Sequence, residues 1–389
     1  MRKIKVAFFS DILIEDFDGA NRTMFQIIGR IPQEQFEFFF ICGERPKKEF
    51  PFKIFEVPNL KVPFNEDYKM AMPALVYFSM RKAVNKFKPD VVHIASPSLL
   101  GNFAIEYAKR KKIPIITIYH THFISYVEYY THHIPVFTEM AKSTVISGQK
   151  TFYNKCDLTL VPTTQIRDEL ISYGFKAKKL VIWPRGLDRN IFTPEARDEG
   201  VMKKITGNDH PNIIFASRLV WEKNLETLIN IYELSRNKGH YWNFIIAGDG
   251  VARAKMEGKM PEAYFLGNVH QKTLSTLFAT SDIFVFPSVS ETYGNVVIEA
   301  MACGCPCVIA RGGGTFNLVK DNINGFMCEP YDAKDYVEKI QRLLSDDELK
   351  HQFIIKGLEF TNKLDWDTLV NKYLEWVKKL YYLNRKESV

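Results

Sequence analysis

Short apolar runs alternate with segments of helical spacing along this chain. Runs rich in β-branched and aromatic residues, bounded by turn-forming residues, predict strands at 4–10, 36–42, 52–57, 91–95, 113–119, 158–162, 180–183, 213–216, 244–247, 264–266, 283–286 and 307–310. Apolar positions three and four apart predict helices at 22–30, 68–87, 99–111, 125–153, 165–173, 224–236 and 294–303, and over most of 333–380. In the helix predicted at 68–87, the apolar side comprises Leu75, Val76, Met80, Val84 and Phe87.

The alternation stops at residues 184–200, where prolines and glycines cluster and indicate a linker. Strands separated by helices favour parallel sheets built from βαβ units. We therefore expect an α/β fold with two Rossmann-like domains, residues 1–185 and 186–365, that face each other across a deep cleft. In such sheets ligands bind beyond the carboxyl ends of the strands, so the loops that follow strands are the places to look for chemistry.

The composition is that of a globular protein, with 46% hydrophobic and 25% charged residues among 389. It excludes disordered, collagen-like and long coiled-coil chains, and no apolar stretch is long enough to span a bilayer. The first apolar run is short and meets Asp11, so we expect no secretory signal and a cytosolic location. Residues 1–185 hold 27 Lys and Arg against 18 Asp and Glu, whereas residues 186–389 hold 25 against 27. The basic half is typical of a surface for anionic lipid or nucleic acid, or simply of a solvated exterior.

The most informative motif is SETYGNVVIEAMACGCP, residues 290–306, which follows a predicted strand. Gly294 begins a helix whose first N–H groups lack partners within the helix and lie at its positive end, where a pyrophosphate can bind. Glu299, about one and a half turns along, can reach the two hydroxyls of a ribose. Glu291, before the helix, points to where a sugar attached to that pyrophosphate would lie.

Three other loops in the second half also follow strands. Arg218 and Lys223 place two cations on one loop, which suits a diphosphate leaving group because fixed cations neutralise its developing charge without a metal. The turn Gly248-Asp249-Gly250 is a weaker signal, since such turns are common. At the end of the strand predicted at 264–266, the backbone edge of residues 265–269 could bind a nucleobase.

In the first half, two loops carry candidate chemistry. Gly19 permits close approach of a ligand to the backbone at a helix start. The complete glycine fingerprint of a dinucleotide site is absent, which counts against an NAD enzyme. His120 follows a predicted strand and is a candidate to contact a ligand hydroxyl.

No metal site is expected from the sequence. His120, His122, His132 and His133 lack the spacing of a metal motif, and Cys303, Cys305 and Cys307 lack the C-x-x-C spacing of zinc ligands. The six cysteines are not expected to form disulfides in a long cytosolic chain.

The combination of these motifs resembles the retaining GT-B glycosyltransferases of family 4. The resemblance extends over nearly the whole chain and rests on the pair Glu291…Glu299, the pair Arg218…Lys223, the 248–250 turn, the segment Trp183-Pro184-Arg185-Gly186-Leu187-Asp188 with Phe192, and the late turn at 321–325. A looser similarity, at 57–73 and 310–314, is to the branch that holds sulfoquinovosyl diacylglycerol synthases and related glycolipid mannosyl- and glucosyltransferases. Gly19-Ala20 in place of a Gly-Gly pair, and Trp221 where proline is frequent, are departures that leave the donor undefined.

The resemblance implies roles for individual residues. The implied catalytic residues are His120, Glu291, Arg218 and Lys223, and the implied donor-binding residues are Gly19, Gly248, Val269, Tyr293, Gly294, Asn295, Val296 and Glu299. Val269 would lie against the base, and Gly19 under the phosphates. The helix at 366–389 would cross back onto the first domain, and neither a metal nor any other cofactor would be needed.

With that resemblance, the basic first domain is expected to bind the acceptor, with Tyr126 in an aromatic loop as one contact. Basic clusters at 81–88, 109–112 and 176–179 would suit the anionic cytoplasmic face of a membrane, and no nucleic acid is expected as a partner. The expected reaction transfers a hexose from a nucleotide diphosphate sugar, UDP-glucose or similar, to diacylglycerol or a glycolipid with retention. The alternatives are a retaining transferase for a soluble glycan, a phosphorylase, a nucleotide-sugar epimerase, and a non-catalytic module that binds sugar nucleotides.

Overall fold

The computed structural model describes residues 2–15, 17–62, 65–122, 124 and 135–386. The strands are β1 (Ile4–Ile12), β2 (Phe36–Glu44), β3 (Lys53–Glu56), β4 (Asn59–Val62), β5 (Asn65–Ala71), β6 (Val91–Ile94), β7 (Ile115–Ile118), β8 (Leu158–Val161), β9 (Leu180–Ile182), β10 (Asn212–Ala216), β11 (Asn243–Ala247), β12 (Tyr264–Gly267), β13 (Ile283–Phe286), β14 (Cys307–Ala310) and β15 (Phe326–Cys328). The helices are α1 (Gly19–Ile28), α2 (Tyr77–Phe87), α3 (Leu99–Lys111), α4 (Pro135–Lys155), α5 (Thr164–Ser172), α6 (Glu199–Thr206), α7 (Leu225–Asn237), α8 (Arg253–Lys259), α9 (Gln271–Thr280), α10 (Asn295–Ala302), α11 (Ala333–Ser345), α12 (Asp347–Thr361) and α13 (Trp366–Lys386).

These elements form two compact units. The first contains the described residues up to Pro184 together with α13, and the second contains Arg185–Asp365. Each unit has its own parallel sheet with helices on both faces. The predicted α/β class with two Rossmann-like sheets is confirmed. Among the described residues, no helix combines the length and the apolar character needed to cross a bilayer.

The sheet of the first unit has seven parallel strands in the order β3-β2-β1-β6-β7-β8-β9. Alternate side chains of β1 point to opposite faces: Ala7 and Phe9 share a core with α2 and α3, whereas Val6 and Phe8 share a core with α1 and α13. Chain order changes direction between β1 and β6. The loops that follow these two strands therefore meet at the carboxyl edge of the sheet.

Buried polar contacts join α13 to this sheet. The ring of His93, on β6, stacks on Phe8 with centroids 4.0 Å apart, and its Nδ1 lies 2.9 Å from the hydroxyl of Tyr373 on α13. The indole N–H of Trp183 donates to the carbonyl of Leu369 at 2.8 Å. Complete burial lowers the pKa of His93 to about 3, because the charged imidazolium would lose its hydration.

We expect His93 to make the stability of the first unit depend on pH. Below the ordinary pKa of 6.5, the unfolded chain binds a proton at His93, whereas the folded chain does not until about pH 3. Stability is therefore lost as the pH falls through this range, by about 1.4 kcal/mol per pH unit. The double variant His93→Phe/Tyr373→Phe removes the titrating group without leaving its polar partner buried alone. Urea denaturation of the parent and the double variant between about pH 7 and 4.5 tests this prediction. If the free energy of unfolding changed equally with pH in the two proteins, the role of His93 would be contradicted.

The sheet of the second unit has six parallel strands in the order β12-β11-β10-β13-β14-β15. Chain order changes direction between β10 and β13, which pair directly through Ile213–Ile283 and Ile214–Phe284. The change of direction leaves a crevice at the carboxyl ends of these two strands, since their following loops run to opposite sides. The Arg218 loop follows β10, and the Glu291 loop follows β13.

The helix predicted at 68–87 is wrong in its first half. Residues 65–71 form β5, which pairs antiparallel with β4, and α2 begins only at Tyr77 after a short turn at Pro73–Val76. Pro73 has no N–H to donate and is tolerated only in a first helical turn. Leu75, predicted on the packed side, is exposed instead. Of the helix predicted at 125–153, residues 125–134 lie outside the described residues.

Candidate active site

An ion pair joins the two loops at the crevice of the second unit. The Nζ atom of Lys223 lies 2.6 Å from Oε1 of Glu291, and the hydroxyl of Ser288 donates to the same oxygen at 3.1 Å. Lys223 is buried and Glu291 is half-buried. Two charges that the sequence suggested separately therefore form one unit, in which the carboxylate fixes the position of the ammonium group.

Asn224 holds the backbone of both loops in place. Its φ of 56° is in the left-handed region, which asparagine tolerates better than most residues. Its side-chain amide donates to the carbonyls of Pro287, at 3.1 Å, and Pro330, at 2.7 Å. The loop after β10 is thereby tied to the loop after β13, and Lys223 is placed within reach of Glu291.

Arg218 is exposed on the same loop as Lys223. The neighbouring residue, Ser217, lies close to Gly248, and a Cβ atom added at Gly248 would overlap the Ser217 carbonyl. Gly248 also has a φ of 143°. The N–H of Leu219 donates to the carbonyl of Asp249 at 2.8 Å. Gly248, predicted as a donor-binding residue, thus supports the loop that carries Arg218.

A glycine segment after β14 supports the Glu291 loop in a similar way. The N–H of Gly314 donates to the carbonyl of Glu291 at 2.6 Å. A Cβ atom at Gly314 would overlap the carbonyl of Thr292. The backbone from Glu291 to Tyr293 is therefore positioned by close packing against the segment that the sequence analysis had linked only to a family branch.

The N-terminus of α10 lies directly after this loop. Gly294, with a φ of 92°, precedes the helix, and Asn295 and Val296 are its half-buried first residues. The helix N–H groups at this end have no partner within the helix and carry its positive dipole end. Glu299 lies on the same helix and is buried. The predicted donor residues 294–299 therefore occupy one short helix next to the ion pair.

Tyr293 has a structural contact that the sequence did not suggest. Its hydroxyl donates to the carbonyl of Arg185 at 3.5 Å, at the start of the second unit. Burial raises the pKa of Tyr293 to about 12 and lowers the pKa of Arg185 to about 10. Two side chains beside the loop are thus buried together, and Tyr293 connects the Glu291 loop to the beginning of the unit.

Val269 follows a strand that is not adjacent to β10 or β13. It follows β12, the outermost strand, and β11 separates β12 from β10. It is half-buried and packs against the core. The N–H of Gly248 donates to the carbonyl of Gly267 at 2.8 Å, so the end of β12 and the glycine turn form one backbone edge.

The candidates of the first unit lie at the carboxyl edge of its sheet. Gly19 is the first residue of α1, and Asp18 caps that helix by accepting the N–H of Asn21 at 2.7 Å. His120 is half-buried two residues after β7. Tyr126, His132 and His133 lie outside the described residues. His120 and Gly19 belong to a different unit from the Lys223–Glu291 pair.

Asp11 is a buried carboxyl at this edge that sequence reasoning missed. Its oxygens accept the N–H of Ala71 at 3.1 Å and the hydroxyl of Ser96 at 3.2 Å, so it joins β1, β5 and the loop after β6. Burial raises its pKa, and the hydrogen bonds from Ser98, Ala71 and Ser96 offset part of that rise. An Asp at the end of an apolar run, before a helix start, was the available signal.

His122, two residues after His120, belongs to a cluster of polar side chains. Its Nδ1 lies 3.0 Å from the hydroxyl of Tyr119, and its Nε2 lies 3.2 Å from Oε1 of Glu169. Tyr173 donates to the same carboxylate oxygen at 3.1 Å. Among the described residues, no group of three or more His, Cys, Asp or Glu could hold a metal ion.

Two family models match the chain. One, described as Glycosyltransferase Family 4, matches residues 17–190, and the other, described as Glycosyl transferases group 1, matches residues 198–360. The two matches follow one another along the chain, as the two sheets do.

Several curated proteins are similar over most of the chain. A GDP-mannose-dependent alpha-mannosyltransferase of Corynebacterium glutamicum is 26% identical over 393 residues, which cover 99% of this chain and 91% of that protein. A sulfoquinovosyl transferase of Arabidopsis thaliana is 33% identical over 316 residues, covering 78% of this chain and 60% of that protein. An alpha-monoglucosyldiacylglycerol synthase of Acholeplasma laidlawii is 28% identical over 337 residues, covering 83% of this chain and 84% of that protein.

Solved structures share the fold at low identity. A sucrose-phosphate synthase from Thermosynechococcus elongatus matches with a TM-score of 0.78 and 18% identity, covering 98% of this chain and 100% of that one. The Anabaena protein HepE, in complex with UDP and glucose, matches with a TM-score of 0.76 and 16% identity, covering 96% of this chain and 99% of that one. The chain therefore carries a family 4 domain followed by a group 1 domain and belongs to the GT-B glycosyltransferases.

Proposed function

We propose that this enzyme transfers a hexose from a nucleotide diphosphate sugar to the hydroxyl of a lipid, diacylglycerol or a glycolipid, with retention of configuration. The observation that carries the donor part is the Lys223–Glu291 pair at the crevice of the second unit, beside exposed Arg218 and the start of α10. The name of one relative, an alpha-monoglucosyldiacylglycerol synthase, supports the lipid acceptor. Another relative is a GDP-mannose-dependent mannosyltransferase, so GDP-mannose is a donor to compare with UDP-glucose.

In this proposal the cations stabilise the leaving group. As the bond between the anomeric carbon and the diphosphate oxygen breaks, negative charge grows on the diphosphate. Lys223 and Arg218 neutralise that charge, and Glu291 keeps Lys223 oriented before the donor arrives. The acceptor oxygen attacks on the face that the diphosphate leaves, and its proton passes to the departing diphosphate oxygen.

The remaining residues bind the donor and the acceptor. Glu299 accepts the ribose hydroxyls, the backbone at 293–296 contacts the pyrophosphate and the sugar, and Gly248 and Val269 lie along the nucleotide. The first unit binds the acceptor, with Tyr126 as one contact, while His120 and Gly19 contribute to the donor sugar and phosphates. The protein acts as a peripheral enzyme on the cytoplasmic face of the membrane.

Nucleotide release from a panel of donors tests the proposal. UDP-glucose, UDP-galactose, UDP-N-acetylglucosamine and GDP-mannose are each supplied with and without diacylglycerol in anionic mixed micelles. We expect release from one donor, dependent on lipid, and an α-linked product whose configuration NMR can assign. Release that is equal without lipid, and that rises with a soluble glycan, would contradict the lipid acceptor. If none of the four donors binds, the proposed glycosyltransferase activity is contradicted.

A further inference from the structure

We propose that the outward side of α2 and the turn before it dock on an anionic lipid bilayer. This docking face comprises Leu75, Phe78, Lys82 and Lys86. The inference deepens the proposed function, because it assigns a surface to the membrane on which a lipid acceptor would be met. It can be measured without any donor, so the two proposals succeed or fail separately.

The apolar side chains of the docking face are turned away from the core. Phe78 is 84% exposed and Leu75 is 68% exposed, whereas Met80 and Val84 of the same helix are fully buried. Residues three and four apart share a helix side, so Phe78 and Lys82 share the outward side. Among the described residues, no aromatic side chain is more exposed than Phe78. Phe78 and Leu75, three residues apart, are exposed together, and adjoining exposed apolar side chains flanked by polar residues are found at surfaces that bind a partner or a membrane.

Basic residues continue the docking face beyond its apolar end. Between Pro73 and Lys88 there are four basic residues and no acidic one. Helix α3 lies alongside, because the rings of Tyr77 and Phe103 pack 5.5 Å apart and the Tyr107 hydroxyl donates to Asn85 at 3.1 Å. The last turn of α3 adds three further cations at 109–111, of which Lys109 and Arg110 also lie 3.3 Å and 3.5 Å from the carboxylates of Asp157 and Glu106, at exposed positions. Apolar residues flanked by Lys and Arg are the pattern of an interfacial helix.

The fold places the apolar end of the docking face at the carboxyl edge of the first sheet. Ala71, which ends β5, donates to Asp11 near the end of β1, and Lys69 pairs with Glu44 at the end of β2. The N–H of Met72 donates to the carbonyl of Pro58 at 2.7 Å. The hairpin and the start of α2 are therefore fixed at the edge where an open parallel sheet binds its ligands. A bilayer that took up Phe78 would lie beside that edge.

A bilayer suits this surface better than a protein partner does. Stable protein interfaces are depleted in lysine at their centres, whereas Lys82 and Lys86 lie on the same side as the apolar residues. Long lysine side chains can instead extend to the phosphates of lipid headgroups while the helix lies in the interface. The third basic cluster, 176–179, fits less well, because Lys179 is occupied by the carbonyls of Asn154 and Cys156.

Vesicle binding of matched variants tests the docking face. The test variant is Leu75→Ser/Phe78→Ser, and the control is Tyr382→Ser/Leu383→Ser, which removes an aromatic and an aliphatic side chain from α13 on the opposite face of the same sheet. Tyr382 and Leu383 are also exposed, at 54% and 49%. With vesicles of phosphatidylcholine containing about one third phosphatidylglycerol, we expect the test variant to bind about tenfold more weakly and the control to bind as the parent does.

A second pair of variants tests the charge. Lys82→Glu/Lys86→Glu is compared with Lys372→Glu/Lys379→Glu on α13. We expect only the first to abolish binding to anionic vesicles, and binding of the parent to weaken steeply with salt. Should a serine variant fold poorly, Phe78→Trp offers a milder probe. The parent already has five tryptophans, so insertion is reported by the additional quenching by brominated lipid in Phe78→Trp relative to the parent.

The outcomes separate the docking face from the proposed function. Three outcomes would each overturn the docking face: equal weakening by the α2 and α13 variants, no vesicle binding by the parent at low salt, or no more quenching in Phe78→Trp than in the parent. If the α2 variants alone lose vesicle binding, the docking face is supported even when no donor yields nucleotide release. Lipid-dependent release together with unchanged vesicle binding in Leu75→Ser/Phe78→Ser would support the enzyme and overturn the docking face.

Discussion

Replacing Lys223 with methionine is expected to lower kcat/KM for sugar transfer by about a hundredfold to a thousandfold. The substitution keeps much of the side-chain volume but removes the ammonium group that lies 2.6 Å from Glu291. A fixed charge that stabilises a leaving group contributes about this much to the rate. Steady-state kinetics with the donor identified by the release assay would measure the loss.

A second lysine near the loop and a double variant of the ion pair serve as controls for Lys223→Met. Lys255→Met removes a lysine that lies 4.7 Å from the Trp221 ring, near the same loop but away from Glu291, and it should leave turnover unchanged. If the pair acts as a unit, Lys223→Met/Glu291→Gln should cost little more than either single change. Losses that multiply fully in the double variant would show that the two residues act independently. Near-parent activity in Lys223→Met would remove it from the mechanism.

Gly248→Ala should destabilise the second unit by about 3 kcal/mol and also lower transfer activity. The new Cβ would overlap the Ser217 carbonyl, and the φ of 143° is itself unfavourable for alanine. Overpacking and backbone strain each cost about 1–3 kcal/mol. Relief of the overlap must move the loop that carries Arg218, so catalysis should suffer even where the fold survives. Urea denaturation and kinetics on the same preparation measure both effects.

Gly239→Ala is the matched control for that substitution. Gly239 also has a positive φ, of 77°, but a Cβ there would meet nothing within 4 Å. Its cost should be about 1 kcal/mol, from the backbone alone, with no change in activity. The difference between the two variants isolates the contact with Ser217. If Gly248→Ala and Gly239→Ala lowered the free energy of unfolding equally, the close contact between Gly248 and Ser217 would make no contribution to the loss.

The sheets could be predicted from the sequence because their strands are buried on both faces. Ile283–Phe286 and Cys307–Ala310 are continuous apolar runs, and both strands have the predicted bounds. The β4–β5 hairpin could not be found this way, because polar residues interrupt every apolar run between Asn59 and Ala71. Its end is held by the bond from Ala71 to Asp11, which lies 60 residues away along the chain. Strand β15 is only three residues long, and pairing with β14 defines it.

The residue types of the candidate site were also predictable, but their pairing was not. Glu291 and Lys223 are 68 residues apart, and only the adjacency of β10 and β13 brings them together. Asp11 was missed for the same reason, since Ala71 and Ser96 approach it from distant parts of the chain. Local patterns indicate which strand a residue follows, whereas strand order decides which loops are neighbours.

The first unit is discontinuous, and this has a consequence for synthesis on the ribosome. Its sheet is finished at Ile182, yet the layer that covers Val6, Phe8 and His93 includes α13, which the chain reaches only after Asp365. The intervening segment, Arg185–Asp365, is continuous and can fold as it leaves the exit tunnel. Until α13 is made, one apolar face of the first unit's sheet lacks the helix that covers it in the folded protein. We expect nascent chains stalled before Trp366 to bind chaperones that recognise exposed apolar surface, and to release them once α13 has left the exit tunnel.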